Sequence, residues 1–188
     1  MEPHRIRKTY KYTLKPTPAP AQALEAALWR CRVRYNVALE QRKTCWERGH
    51  GIGVNYYQQK AELPDLKAAV PDYAEVHSQV VQDVLLRLDR AFQAFFRRVQ
   101  AGQTPGYPRF QGQGRNRYHN HSFTSPHYGN GAVLDGAVLS LSKIGRMLIR
   151  LHRLLEGTPK TITISKSAKR RMAGMRRFLC GCAYATAP

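Results

Sequence analysis

The residues of this sequence that could do chemistry are 12 carboxylates, seven histidines and four cysteines. A nuclease that uses two metal ions needs several carboxylates converging on one point, normally with one projecting from the centre of an apolar strand. The Asp and Glu residues fall instead on predicted helix surfaces, in turns such as Asp65, Asp72 and Asp135, or near a strand end, as Glu156 does. The sequence therefore predicts no catalytic residue.

Two short motifs resemble metal sites without matching one. In His119-Asn120-His121, residues one and two apart in an extended segment do not converge on a single ion. Cys180 and Cys182 are separated by one residue, whereas the ligands of a zinc knuckle are separated by two to four residues and are followed by a second pair. We therefore expect no metal site and no cofactor.

The segment around these histidines is better suited to contact nucleic acid. Tyr118, His119 and Phe123 could stack on unpaired bases, while Arg115 and Arg117 hold phosphates. A basic loop without a ligand is the alternative interpretation.

Charge points to the same class of partner. The chain has 31 Lys and Arg against 12 Asp and Glu, a formal net charge of +19 and a pI near 10.3, which favours a polyanion, usually nucleic acid. A membrane surface is the main rival, but no apolar run approaches the roughly 20 residues of a spanning helix, and residues 2–8 are charged where a signal peptide would be apolar. We expect a cytoplasmic protein that binds nucleic acid and no membrane.

Changes in hydrophobic period divide the chain into elements. Residues 7–15 alternate as in a half-buried strand, and from Ala21 to about Arg48 apolar residues recur every three or four positions, as in an amphipathic helix. A short helix is predicted from Asn55 to before Pro64. The clearest helix spans residues 74–100, and we expect its apolar face to pack on the first long helix.

Beyond Gly102 the sequence becomes a loop and then a series of short alternating runs. Asp135-Gly136 between two of these runs is a hairpin signal. Five short strands suggest a small barrel or meander, which also supplies partners for the strand at 7–15. The predicted fold class is α+β, with the helices inserted into a small β domain. The five strands are placed at 122–124, 132–134, 138–141, 147–151 and 161–165.

The polar face of the second long helix carries four arginines and two acids. The first long helix adds five cations, which these acids are too few to neutralise, so we expect the helical block to be a cationic surface that contacts phosphate. The alternative is that the arginines only solvate an outer face. The arginines are Arg87, Arg90, Arg97 and Arg98, the acids Asp83 and Asp89, and the cations of the first helix Arg30, Arg32, Arg34, Arg42 and Lys43.

The run Phe95-Phe96-Arg97-Arg98-Val99, followed by Gly102 and Pro105-Gly106-Tyr107-Pro108-Arg109-Phe110, strongly resembles the OrfB (TnpB-type) proteins of insertion sequences. These proteins are compact RNA-guided relatives of CRISPR type V nucleases. The resemblance extends over about residues 5–167 and includes Ser78-Gln79-Val80-Val81-Gln82 and Leu139-Ser140-Leu141-Ser142-Lys143-Ile144-Gly145.

The resemblance implies a wedge-like β-barrel whose first strand precedes an inserted, helix-turn-helix-like recognition domain. Such a protein grips a guide RNA and its heteroduplex and reads a short motif beside the DNA target. By similarity, Tyr56, Ser78 and Gln82 lie where the family touches that motif, and Arg109 is a phosphate contact. The implied partners are DNA and a transposon-derived guide RNA.

The implied domain limits are 1–16 for the first strand of the wedge, 17–104 for the helical domain, 105–167 for the remaining wedge and 168–188 for an atypical basic tail. A relative continues from here into an RNase H-like (RuvC) nuclease and a four-cysteine zinc finger, which this sequence does not show. A frameshift near Lys169 would explain the tail, and a basic RNA-binding extension is the alternative. We expect a nucleic-acid-binding fragment that is not an enzyme, with an inert pseudogene remnant or a regulator of its own transposon as alternatives.

Overall fold

The structure, a computed structural model, describes residues 6–49, 51–112, 122–153, 158–170 and 176–186. The chain divides into two compact units. The sheet unit comprises Met1–Trp29 and His119–Pro188, and the helical unit comprises Arg30–Tyr118. In chain order the helices lie between the first strand and the later strands, as predicted, and the two units divide at residues 29/30 and 118/119. The implied domain limits stay a prediction.

The sheet unit is built on a seven-stranded antiparallel sheet that curls into a half-barrel, in the order β2-β6-β7-β1-β5-β4-β3. Among the described residues β2 and β3 are its two edges, so the full barrel that we expected is not shown. The strands are β1 Ile6–Lys15, β2 Ser122–Ser125, β3 Ala132–Asp135, β4 Val138–Leu141, β5 Gly145–Arg150, β6 Thr158–Arg170 and β7 Arg176–Thr186.

Alternation of side chains explains why these segments form a sheet with one buried face. In β1 the side chains of Tyr10, Tyr12 and Leu14 are buried, while Lys11 and Lys15 are exposed. The same alternation continues across the sheet, because a period of two sends successive side chains to opposite faces. The buried face is completed by Leu139, Leu141, Met147, Ile149, Ile162 and Ile164.

The predicted hairpin at Asp135-Gly136 is confirmed. It joins β3 to β4, which pair from Ala132↔Leu141 to Asp135↔Val138. Gly136 has a φ of +52°, in the left-handed region that glycine adopts without a steric penalty.

Strand β7 is the main difference from the predicted sheet. The sequence prediction treated residues 168–188 as an atypical tail, but β7 pairs with β1 from Ile6↔Thr186 to Thr13↔Leu179 and with β6 on its other side. The segment from Phe178 to Tyr184 is apolar or small at nearly every position, without the alternation that marked the other strands. A run of this kind lacks the period of two from which the other strands were predicted.

The helical unit holds three α-helices and a 3₁₀ turn, and it also receives most of the long helix α1. The long helix matches its prediction, and the second long helix starts at Ser78 because Pro71–Glu75 forms a separate 3₁₀ turn. An unpredicted helix follows Glu62, since Pro64 was interpreted as a stop although proline is well tolerated in a first helical turn. The helices are α1 Pro18–Arg48, α2 Tyr56–Ala61, α3 Leu63–Ala69 and α4 Ser78–Gln100.

The apolar face of α4 is buried only along its first four turns. Val81, Leu85 and Leu88 are 0–2% exposed, whereas Phe96 and Val99 are 53% and 49% exposed. The prediction that this whole face packs into the core is therefore wrong for the last two turns, where aromatic residues face solvent.

A buried glutamine, Gln59, fastens α2 to α1. Its side-chain oxygen accepts a hydrogen bond from Arg42 Nε at 2.9 Å, and its nitrogen donates to the Ala38 carbonyl at 2.9 Å and to Gln41 Oε1 at 2.8 Å. Its backbone carbonyl accepts from Arg34 Nη2 at 3.0 Å. Gln59 is fully buried, so each of these bonds is made away from competing water.

We expect Gln59→Leu to lower the free energy of unfolding by about 2–5 kcal/mol, because the change removes the acceptor of the buried Arg42 guanidinium and the donor to the Ala38 carbonyl. Chemical denaturation followed by far-UV circular dichroism measures this. Gln22→Leu, the same change at an exposed position of α1, should stay within about 0.5 kcal/mol of the parent protein. Equal effects of the two substitutions would contradict the role given to Gln59.

Candidate nucleic-acid interface

Three arginines that the sequence placed on a cationic surface are instead buried or partly buried. Arg34 and Arg42 are only 4% and 7% exposed, and the side chain of Arg30 is 12% exposed. Each forms at least one ion pair with an acid from later in the chain. The prediction of a surface position is wrong for Arg34 and Arg42, whereas Arg30 is partly buried and pairs with exposed acids. The pairs are Arg30 with Asp72 at 3.1 Å and Glu75 at 2.9 Å, Arg34 with Glu62 at 3.5 Å, and Arg42 with Asp89 at 3.1 Å.

Arg87 also has a structural partner. Its Nε lies 3.2 Å from Asp83 Oδ2, one helical turn away on α4. Burial raises the pKa of the Asp83 carboxyl, and the charges of Arg87 and Arg90 lower it. Arg87 therefore compensates a carboxylate that is partly removed from water.

The other predicted arginines of the helical unit face solvent. Arg90, Arg97, Arg98 and Arg109 are all exposed, and no carboxylate among the described residues lies within ion-pair distance of them. Arg90 and Arg97 lie on one side of α4 with Gln93 between them, at positions i, i+3 and i+7. The exposure of these four guanidiniums is observed, and their contact with phosphate stays a prediction.

The residues predicted to touch a DNA motif lie on two helices. Ser78 begins α4 and accepts a hydrogen bond from Lys67 Nζ at 2.5 Å, and Gln82 lies one turn later, partly exposed. Tyr56 begins α2, packs edge-on against Tyr57 at 5.3 Å between ring centroids, and has Lys60 Nζ 6.0 Å from its ring. Their role in reading DNA stays a prediction. Arg115, Arg117 and the pair His119 and His121 lie outside the described residues.

A second cationic surface, which the sequence analysis missed, lies on the exposed face of the sheet. Lys11 and Lys15 of β1 and Arg146 and Arg150 of β5 are all exposed. The register Thr13↔Arg150 and Lys15↔Leu148 places the two strands side by side, so the four cations share one face. The signal in the sequence was the alternation of β1, which places Lys11 and Lys15 on the same face of the strand.

The strands are strongly depleted in acids. Together the seven strands contain 12 Lys and Arg and a single carboxylate, Asp135 at the end of edge strand β3. By sequence the sheet unit has 16 Lys and Arg against 4 Asp and Glu, whereas the helical unit has 15 against 8. Most of the surplus charge therefore belongs to the sheet unit and not to the recognition helices.

Hydroxyl groups add neutral hydrogen-bond donors to this face. Thr124 and Thr163 are directly paired across β2 and β6, with 3.3 Å between their Oγ1 atoms. Ser140 lies opposite Arg146 on β4. Short hydroxyl side chains and cations are the groups that proteins commonly use to bind phosphate and sugar oxygens.

The described residues contain no group of three or more His, Cys, Asp or Glu side chains that could hold a metal ion. No helix in the described ranges is long and apolar enough to span a membrane.

The chain is similar in sequence to a known domain family and to known proteins. The helix-turn-helix domain described for OrfB proteins of IS605-type elements matches residues 1–51, which contain β1 and α1. A Streptomyces pristinaespiralis protein named "Putative RNA-guided DNA endonuclease" is 32% identical over 171 residues, 86% of this chain. The N-terminal part of this chain is thus an OrfB-type helix-turn-helix domain. An Escherichia coli K12 protein with the same name and the suffix InsQ is 28% identical over 164 residues, 85% of this chain.

The OrfB resemblance drawn from the sequence is thereby confirmed. The match covers 39% and 38% of the length of these two relatives, so this chain corresponds to less than half of either OrfB homologue.

The interior of the helical unit contains a thiol whose ionisation is suppressed. Burial raises the pKa of Cys31 from 9.0 to about 12, against a lowering by Arg87 and with a further increase from Asp83. Burial likewise raises the pKa of the Tyr35 and Tyr73 phenols. Cys31 is correspondingly only 4% exposed and belongs to the core of the helical unit.

A raised pKa in the folded state means that stability is lost as the pH rises, because the unfolded thiol ionises first. When the pH is raised from about 8 to about 10.5, we expect the free energy of unfolding of the parent protein to fall by roughly 2 kcal/mol more than that of Cys31→Ala. Denaturation curves at the two pH values measure this difference. Cys45→Ala, at a partly exposed cysteine, should show the parent's pH dependence, and the same loss in all three proteins would be inconsistent with a suppressed Cys31 thiolate.

Proposed function

We propose that this chain is the nucleic-acid-binding part of a transposon-encoded, RNA-guided protein, and that the exposed face of its sheet grips the nucleic-acid backbone. The observation that carries the proposal is the composition of the strands, with 12 Lys and Arg and one carboxylate. Like charges on neighbouring strands destabilise a sheet in isolation. Bound phosphates would remove that repulsion and release their own counterions.

The homologues support the class of partner. Both are named as RNA-guided DNA endonucleases, and the match spans nearly the whole of this chain. In RNA-guided recognition, base pairing selects the sequence while the protein contacts the backbone and a short flanking motif. We therefore assign DNA and a transposon-derived guide RNA as the partners of this chain.

The helical unit supplies the proposed motif contact. Gln82 has the donor and acceptor pair that recognises adenine in the major groove, and Ser78 precedes it by one turn at the solvent-exposed start of α4. Tyr56 and Arg109 complete this proposed set, with Arg109 on phosphate. The proposal gives the described residues a binding role and assigns them no step of DNA cleavage.

Removing cations from the sheet face should lower both affinity and its dependence on salt. We expect Lys15→Ser and Arg150→Ser each to reduce the slope of log Kobs against log[salt] by about 0.7–0.9, the value for one lost phosphate contact on single-stranded or duplex nucleic acid. Fluorescence anisotropy with a labelled duplex and a labelled single strand, across a range of potassium chloride concentrations, gives the slopes.

The matched control is Arg48→Ser, which removes the same charge from the last turn of α1, in the helical unit. Its slope should equal that of the parent protein. If all three variants lose affinity equally, the net charge and not the sheet face determines binding.

Recovery of RNA with the purified protein tests the guide. We expect a transcript from the end of the parent transposon to copurify with the chain expressed beside its element, and Lys15→Ser combined with Arg150→Ser to retain less of it. Sequencing of the bound RNA provides the measurement. A random sample of cellular RNA would argue against a guide, and the absence of any RNA would favour an inert remnant.

A further inference from the structure

An open aromatic pocket lies in the helical unit between the C-terminal part of α1, the segment 53–55 and the second half of α4. Its volume is about 470 Å³. All of its lining residues belong to the helical unit, and five of them are aromatic. The lining consists of Arg42, Trp46, Gly53, Val54, Asn55, Asp89, Phe92, Gln93, Phe95, Phe96 and Tyr107.

The aromatic rings are ordered by edge-to-face contacts but remain open to solvent. Tyr107 meets the rings of Phe92 and Phe95 edge-on, at centroid distances of 5.6 and 5.3 Å. Even so, Trp46 is 61% exposed, Phe96 is 53% exposed and Tyr107 is 43% exposed. Grouped aromatic surface of this kind on a soluble protein marks a binding site more often than an isolated exposed residue does.

Polar groups line one side of the pocket. Asp89 accepts hydrogen bonds from Arg42 Nη1 at 3.1 Å and from Gln93 Nε2 at 2.7 Å. The carboxamide oxygen of Asn55 accepts from the Gln58 amide and so caps α2. These carboxamides and the carboxylate offer both donors and acceptors beside the aromatic floor, as recognition of a polar, planar ligand requires.

Exposed cations border the pocket. Arg90 and Arg97 flank the lining residue Gln93 on α4, one turn to either side. The Arg98 guanidinium lies beside Gly106, the residue before the lining Tyr107, with its Nη1 3.8 Å from the point where a side chain at position 106 would begin. The nearest acids are Asp89, already paired with Arg42, and Glu47, which acts on Tyr107. The rim is therefore suited to an anionic chain.

We propose that this aromatic pocket binds an unpaired base of single-stranded nucleic acid, stacked on Trp46 and Phe96, with the adjoining phosphates held by Arg97 and Arg98. The inference rests on the nucleic-acid-binding function proposed above and adds a single-strand site to it. Every base has a π face that can stack on an aromatic ring, so such a site tolerates any sequence.

The charges favour a base over an apolar side chain of a protein partner. An apolar occupant would bury the Asn55 amide nitrogen and the Gln93 carbonyl oxygen, the carboxamide atoms that the bonds above leave over, without giving them hydrogen bonds, which costs free energy. It would also leave the guanidiniums of Arg90, Arg97 and Arg98 without counter-charges. Burial and the Glu47 carboxylate raise the pKa of the Tyr107 phenol, which keeps this hydroxyl protonated and able to donate to a base or sugar.

The chain's two tryptophans allow a direct test. Trp46 lines the pocket, whereas Trp29 is 50% exposed in the sheet unit. In Trp29→Phe the only emitting tryptophan is Trp46, and we expect a mixed-sequence single-stranded oligonucleotide to quench it at saturation. In Trp46→Phe the emission comes from Trp29, and the same oligonucleotide should leave it nearly unchanged. A fully paired duplex should quench neither.

Affinity gives the second measurement. We expect Trp46→Ala to weaken single-strand binding by about 5- to 150-fold, the range for losing one stacked base, and to leave duplex binding unchanged. Trp29→Ala removes the same side chain elsewhere and should have no such effect, and Trp46→Phe should restore most of the loss. Far-UV circular dichroism verifies that each variant is folded.

The outcomes separate the two proposals. If single strand and duplex bind with steep salt dependence while Trp46 emission is unaffected, the base site is wrong and the proposed function stands. If neither nucleic acid binds, the proposed function fails. If the oligonucleotide has no effect but 1-anilinonaphthalene-8-sulfonate perturbs Trp46, the pocket takes apolar ligands and the base site is overturned.

Discussion

Two guanidinium groups held out of water determine the arrangement of the helical unit. Arg34 and Arg42 project from α1 into the interior, where an unpaired charge would cost several kcal/mol. Gln59 of α2 accepts hydrogen bonds from both, through its backbone and its side chain, and Glu62 and Asp89 supply the negative charges. The positions of α2 and α4 relative to α1 follow from these requirements, and with them the positions of Tyr56, Gln82 and the exposed arginines.

This use of arginine divides the positive charge of the helices into two populations. Arg30, Arg34, Arg42 and Arg87 neutralise acids within the fold, so they contribute little to the external field. Arg90, Arg97, Arg98 and Arg109 form no ion pair with a carboxylate in the part of the chain that the structure describes. The potential of the helical unit is therefore concentrated at the C-terminal end of α4, next to its exposed aromatic rings, while the sheet presents a broader basic face. Two basic surfaces of different character suit a partner with both paired and unpaired regions.

Local patterns predicted the elements that are stabilised locally. The alternation of β1, the long period of α1 and the Asp135-Gly136 turn are each contained in a short window of sequence, and all three are observed. The burial of Arg34 was not predictable in this way, because its acid Glu62 lies 28 residues further along the chain. For the same reason β7 was not predicted, because its partner β1 is distant in sequence. The basic face shared by β1 and β5 could not be predicted either, because it depends on the register between the two strands.

The pairing of β1 with β7 also delays completion of the sheet during synthesis, because the two strands lie at opposite ends of the sequence. Ile6 pairs with Thr186, so one edge of β1 remains unpaired until β7 has been translated. At typical rates of synthesis this interval is on the order of 10–30 seconds. Throughout it, the backbone N–H and C=O groups of that edge can pair with any extended chain nearby, so the nascent protein would benefit from a chaperone or from early capture of its polyanionic partner on the lysines of β1.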